Sequence, residues 1–380
     1  MKNRSNPIVM VAPYLPESGS QGAAHKIESV LRILARSGRR IIFINSAHRH
    51  TGFASSTAAV RNIAGVRVLE ITPFTWRWRP AGKLANILTA LPLARRVAAL
   101  RPSLVWIYNS YAFEARFALL LSKLAKCRIV LEMEDLPLAR KRGLLNLKPL
   151  LDSRYLPIVQ RRASLITCVN QSIQIGMGPV RTMPLPYIMS PFVKVNGRDP
   201  LQSAPFTVGY FGHLSVEKGA SIFTSLHSAL PSDWRITITG RGRLAEELHR
   251  CAARSGGRMK FFEDVPDEKL YELLTACDVA VNPHTSIESM GEGVFPFKVL
   301  EAVASGRLLI STELPPCGFD LQHNVMYFNG TVEGLHKALD SAPEFLRRNL
   351  KGFHATVARV RTSLSEEAIY IKLKKMEVLP

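Results

Sequence analysis

No stretch of the chain reaches the 18 consecutive apolar residues of a membrane-spanning helix, so none is expected. The longest uncharged stretch, residues 163–180, is broken by Asn170, Gln171, Ser172 and Gln174. Cysteine is sparse. Cys127, Cys168, Cys251, Cys277 and Cys317 stand far apart, with no C-x-x-C and no Cys/His pair at zinc spacing. That pattern excludes a disulfide framework and a structural zinc. A strict G-x-G-x-x-G is missing, so a dinucleotide fingerprint is not supported. RNP-like, zinc-finger and KH signatures are missing too, and no nucleic-acid partner is expected. The run MKNRSNPIVMVAPYLP is cut by Pro13 and Pro16 and reads as a first strand rather than a signal peptide. A cytoplasmic location follows as the expectation.

Acidic residues are scarce in one half only. Residues 1–200 hold 30 Lys and Arg against 9 Asp and Glu; residues 201–380 hold 20 against 21. The net charge of +20 therefore sits almost wholly in the first half. Such a charge reads either as an ordinary basic surface or as a face for an anionic partner. Trp76, Arg77, Trp78 and Arg79 interleave aromatics with cations, which suits a lipid headgroup interface. The segment 83–100 that follows reads as an apolar helix bounded by cations and bent at Pro92.

What is present is a globular composition, 47% apolar and 21% charged over 380 residues, enough for two domains. Short β-rich runs at 7–12, 40–45, 66–71, 104–108, 127–132 and 165–169 alternate with helical segments such as 24–36 and 113–125. The Gly/Pro-rich stretch 196–205 reads as a linker, and the alternation then restarts at 206–211, 235–239, 259–262, 279–282, 308–311 and 325–328. This predicts an α/β protein: two Rossmann-like, doubly wound parallel-sheet domains facing across a cleft. The expected divisions are 1–198 and 199–362, with a terminal helix in 363–380 packing back on the first domain.

Each half opens with a strand, a glycine loop and a helix. In the first half, Gly19, Ser20 and Gly22 form a candidate phosphate or acceptor loop; a plain tight turn fits equally well. In the second, Gly212, His213, Lys218 and Gly219 form a candidate diphosphate grip, with Lys218 as a mobile point charge. Gly240 and Arg241 add a second glycine loop. Further on, Pro296 precedes a short helix over 297–305, stopped by Gly306. Backbone N–H groups near 293–295 are then free for phosphate oxygens. Lys298 and Glu301 share a helix face, and a carboxylate there can accept from both hydroxyls of a ribose. A simple surface ion pair is the competing reading.

The ordered set G-x-L-S-x-E-K-G, then G-x-G, then Asp278 before Val-Ala-Val-Asn-Pro, then Glu-Ala-Val-Ala-Ser-Gly306 resembles the retaining glycosyltransferases of family 4, also called group 1. The resemblance is strongest over 206–315. It implies the GT-B fold, a nucleotide-sugar donor bound by the second domain, and an acceptor bound by the first. Lys218 would neutralise the diphosphate, Glu301 would hold the ribose, and Phe297 would belong to the donor site. Three departures stand out. His213 replaces an arginine. The expected first glutamate falls on Gly293, leaving either Glu292 or Lys298 to serve instead. Glu134-Asp135 stands where relatives hold His-Asp, which makes Asp135 the candidate for orienting acceptor or sugar hydroxyls.

The resemblance implies front-face transfer without a protein nucleophile. No D-x-D metal motif is evident and lysines can replace a metal, so neither cofactor nor metal is expected. The basic first half suggests a lipid-linked or saccharide acceptor at the inner face of an anionic membrane, as in surface polysaccharide or glycolipid synthesis. The alternatives are a sugar-nucleotide epimerase of the same fold and an inactive scaffold binding a polyanion such as nucleic acid.

Overall fold

The computed structural model describes residues 6–15, 21–47, 56–73, 79–134, 147–195, 205–284 and 295–379. The chain divides into two compact units: residues 1–188 with 365–380, and residues 189–291 with 295–364.

The first unit runs β1 (Ile8–Ala12), α1 (Gln21–Ala35), β2 (Ile41–Asn45), β3 (Thr57–Ile63), β4 (Val66–Thr72), α2 (Arg79–Ala98) and β5 (Leu104–Tyr108). It continues through α3 (Ala112–Ala125), β6 (Arg128–Met133), α4 (Leu147–Arg162), β7 (Leu165–Cys168), α5 (Gln171–Gly176) and β8 (Thr182–Pro184). Its sheet order is β3-β4-β2-β1-β5-β6-β7-β8. The central strands are buried along their whole length, Ile-Val-Met-Val-Ala in β1 and Leu-Val-Trp-Ile-Tyr in β5. Continuous apolar runs of this kind mark parallel strands covered on both faces. β3 departs from the pattern: it pairs antiparallel with β4 at the sheet edge, and its first six residues are exposed. Pattern reading misses it because Thr-Ala-Ala-Val-Arg-Asn-Ile has no buried face. The hairpin turn is Ala64-Gly65, both with positive φ, rather than the usual Asn-Gly signal.

The second unit runs β9 (Thr207–Phe211), α6 (Phe223–Ala229), β10 (Arg235–Thr239), α7 (Ala245–Arg254), β11 (Met259–Phe262), α8 (Asp267–Ala276) and β12 (Val279–Asn282). It ends with α9 (Lys298–Ala304), β13 (Leu308–Ser311), β14 (Val325–Tyr327) and α10 (Val332–Leu364). All pairings in its sheet, order β11-β10-β9-β12-β13-β14, are parallel. The order reverses between β9 and β12. In doubly wound sheets that switch point is where the loops part and ligands bind.

After α10 the chain returns to the first unit as α11 (Glu366–Lys375). Ser365 caps it by accepting from the Ala368 N–H at 3.1 Å. Arg32 holds Glu366 at 2.6 Å, and Ile369, Leu373, Val378 and Leu379 join the core built on β1, α1 and β5. No helix of the described residues is long and apolar enough to cross a membrane.

Candidate donor site

Three loops meet at the carboxyl ends of β9, β10 and β12. The Gly212 N–H donates to the Thr239 carbonyl at 3.1 Å, and the Leu214 N–H to the Arg241 carbonyl at 2.7 Å, zipping the first loop to the second. Two glycines allow backbone to lie on backbone. A Cβ on Gly240 would stand 1.8 Å from the Gly212 carbonyl oxygen. A Cβ on Gly219, whose φ is +70°, would stand 1.6 Å from the Pro283 carbonyl oxygen. The loop after β9 therefore rides directly on the loop after β12, across the switch point, and carries Lys218 with it.

Lys298 opens α9 and reaches the same place. Its Nζ lies 4.7 Å from the centroid of the Tyr210 ring, a cation–π arrangement, and beside Gly212. The Tyr210 hydroxyl is fixed by donating to the His213 carbonyl at 2.8 Å. Burial, and then the neighbouring Lys218 charge, push Lys298 down to about 7 against a smaller opposing pull from Glu301. Lys218 is lowered by burial. His284 follows Pro283, is 3% exposed, and is pushed down to about 2 by burial, Lys298 and Lys218 in that order. It is therefore a neutral imidazole, able to donate one hydrogen bond and accept one. Glu301 is one turn along α9, buried, and its Oε1 accepts from the Tyr271 hydroxyl of α8 at 2.6 Å.

Two depressed cations, a neutral imidazole and a positioned carboxylate thus converge within one unit. Among the residues expected from sequence, Gly212, Gly219, Lys218, Lys298 and Glu301 meet here. His213 borders the site with its side chain exposed, and Phe297 immediately precedes α9, 37% exposed. Gly240 supports the floor. Arg241 is engaged elsewhere, in an ion pair with Asp264 after β11. His284, Tyr210 and Tyr271 were not expected. A histidine after Asn-Pro, a tyrosine inside an apolar strand and a tyrosine on a mixed helix carry no signal until the switch point brings their elements together. Glu292 lies outside the described residues.

In the first unit, Gly22 is the second residue of α1 and Arg79 opens α2. Asp135, Gly19, Ser20, Trp76, Arg77 and Trp78 lie outside the described residues. The Glu134 carboxylate accepts from Lys26 Nζ at 2.6 Å, and its N–H donates to Asn109 Oδ1 at 2.8 Å. Lys26 also donates to the Leu185 carbonyl at 2.8 Å and lies 3.5 Å from Glu132, which accepts from Trp106 Nε1 at 2.8 Å. Burial raises Glu132 to about 7, opposed by Lys26. Lys26 is the hinge of this cluster, and nothing in the sequence around it marks it out from other helix cations. Lys26→Met strands two carboxylates in a closed environment and is expected to cost about 3–5 kcal/mol, seen as a lowered thermal midpoint.

Residues 205–342 match the family model described as glycosyl transferases group 1. Among curated proteins no sequence match is found. Sucrose-phosphate synthase from Thermosynechococcus elongatus superposes with a TM-score of 0.71 at 13% identity, covering 98% of each chain. HepE from Anabaena, solved with UDP-glucose, gives 0.61 at 18% identity over 98% of this chain and 99% of that one. A UDP-forming α,α-trehalose-phosphate synthase from Burkholderia vietnamiensis gives 0.67 at 13% identity over 98% and 99%. The fold is that of the GT-B glycosyltransferases. On it, residues 205–342 of the second unit are similar to the group 1 glycosyl transferases.

Proposed function

We propose that the protein is a retaining, metal-independent glycosyltransferase. It moves a sugar from a UDP- or GDP-linked donor to a hydroxyl acceptor that is lipid-linked or a saccharide, at the inner membrane face in surface polysaccharide or glycolipid synthesis. The observation that carries the donor part is the convergence of Lys218, Lys298, His284 and Glu301 at the switch point of the matched domain. Two buried lysines, one of them further depressed by the other, are relieved by a diphosphate, and the leaving diphosphate is the species whose charge grows in the transition state. Their charge takes the place of a metal ion's. Glu301, oriented by Tyr271, accepts from the ribose hydroxyls. Neutral His284 offers a hydrogen bond without adding repulsion. UDP and UDP-glucose complexes of HepE, a protein of the same fold, favour uridine as the base. Asp135 and the loop of Gly19, Ser20 and Gly22 are assigned to the acceptor side. The leaving phosphate, rather than a protein base, takes the acceptor proton.

A thermal-shift panel of UDP, GDP and their sugars tests the reading: one nucleotide sugar at a hundred times its Kd stabilises by about 2.7 kcal/mol. No stabilisation by any of them sinks it. Glu301→Gln is expected to weaken the nucleotide sugar roughly tenfold while leaving inorganic pyrophosphate binding unchanged, because only the former presents a ribose. Equal loss for both would remove the ribose assignment.

A further inference from the structure

The strands of the first sheet other than β3 run parallel, so their amino ends share one edge, opposite the edge where ligands bind. The described acids of this unit's first 188 residues avoid that edge. Glu28, Glu70, Glu114, Glu132, Glu134 and Asp152 lie near the carboxyl ends of the strands or on the helical layers, and four of them are buried. The cations do the reverse. Below β5 and β6, which are neighbours, stand Arg96 in the last turn of α2, Arg101, Lys123 in the last turn of α3, and Lys126, all exposed. None of these four has an ion-pair partner among the described residues; elsewhere in the unit the Glu377 carbonyl accepts from Arg128, and Glu366 and Glu367 pair with Arg32 and Arg36 at the end of α1. Between them project Leu100 and Leu124, 43% and 45% exposed.

A cation at a helix carboxyl end is ordinary, since it answers the helix dipole. Two observations exceed that explanation. Arg101 and Lys126 occupy left-handed backbone, φ 51° and 54°, at helix ends where glycine costs least. The exposed leucines do nothing for the dipole and, set among cations, match the boundary between headgroups and acyl chains.

We infer that this edge of the first sheet, Arg96, Leu100, Arg101, Lys123, Leu124 and Lys126, docks the protein on an anionic lipid bilayer. The inference rests on the membrane part of the proposed function but not on the transferase reaction. It shifts the contact away from Trp76–Arg79 and away from the ligand edge. The charge that suggested an acceptor-side membrane contact lies, where described beneath β5 and β6, on the other side of the sheet. With strands of about 17 Å, the acceptor side then looks outward from the bilayer, which favours the saccharide over the lipid-linked acceptor of the proposed function.

Sedimentation with phosphatidylglycerol/phosphatidylcholine vesicles at low salt tests it, with pure phosphatidylcholine vesicles and a single-stranded oligonucleotide as comparisons. The wild type is expected to sediment with anionic vesicles only and to be released by 0.5 M salt. Arg101→Glu with Lys126→Glu should lower partitioning at least about twentyfold, at roughly fivefold for each cation near an anionic surface. Leu100→Ser with Leu124→Ser should lower it severalfold at unchanged charge. Thermal midpoints and nucleotide-sugar binding should stay at wild-type values in both. Wild-type protein that ignores anionic vesicles refutes the membrane reading as a whole. Binding that survives both double variants but is lost with Trp76→Ala and Trp78→Ala overturns the edge assignment alone. Tighter binding to the oligonucleotide, lost in the charge variant, makes the edge a nucleic-acid surface and overturns the proposal.

Discussion

Lys298→Met is expected to weaken nucleotide-sugar binding by about a hundredfold, and to remove a decline in affinity above neutrality that the wild type shows. The size follows from the loss of charge-assisted hydrogen bonds to a diphosphate, each about 1.5–3 kcal/mol. The pH dependence follows from burial and Lys218, which hold Lys298 near 7. Below that value the ammonium is charged and attracts the diphosphate. Above it, binding must draw a proton from solvent, so affinity falls by up to about tenfold per pH unit until the pKa of the complex is reached. A nucleotide sugar is the right probe because its diphosphate does not titrate between pH 6 and 9. Calorimetry in buffers of different ionisation heat should show proton uptake on binding at pH 7.5 in the wild type and none in the variant. Methionine keeps the apolar contact with Tyr210, so a stability loss does not mimic the result. Level wild-type affinity across pH 6–9 would remove Lys298 from the diphosphate.

Gly219→Ala has the second-largest expected effect. Its Cβ would overlap the Pro283 carbonyl oxygen at 1.6 Å, and its φ of +70° disfavours any side chain. Backbone strain of about 1–2 kcal/mol adds to the displacement of the loop. The expected cost is about 2–4 kcal/mol, or roughly 5–15 °C in the midpoint of the second unit. Lys218 moves with the loop, so donor affinity falls too. Gly256 provides the comparison: its φ is +61°, but nothing stands within 4 Å of an added Cβ. Gly256→Ala should cost about 1 kcal/mol and leave donor binding alone. Equal midpoints for the two variants would contradict the contact between the β9 and β12 loops.

The parallel strands were legible because burial on both faces leaves continuous apolar runs; β1, β2 and β5 are of this kind. β3 was hidden because an exposed edge strand needs no apolar pattern. In the donor site, glycine loops and the Lys298–Glu301 spacing could be read locally. His284 and Tyr271 could not, since their place depends on α8, β12 and α9 converging. Arg241 illustrates the opposite limit: its loop was identified, but its partner Asp264 comes from the next strand end. The charge was countable by halves, yet its position along the sheet edge needed the pairing of seven parallel strands.

The return of the chain as α11 sets an order of events during synthesis. The first unit's last strand ends at Pro184, but Ile369, Leu373, Val378 and Leu379 belong to the same core. At roughly 5–20 residues per second, the ribosome takes on the order of ten to forty seconds to make what lies between. For that interval the core beside α1 is open while the second unit emerges and can close its own. The nascent first unit therefore stays an incomplete domain until α11 has left the ribosome.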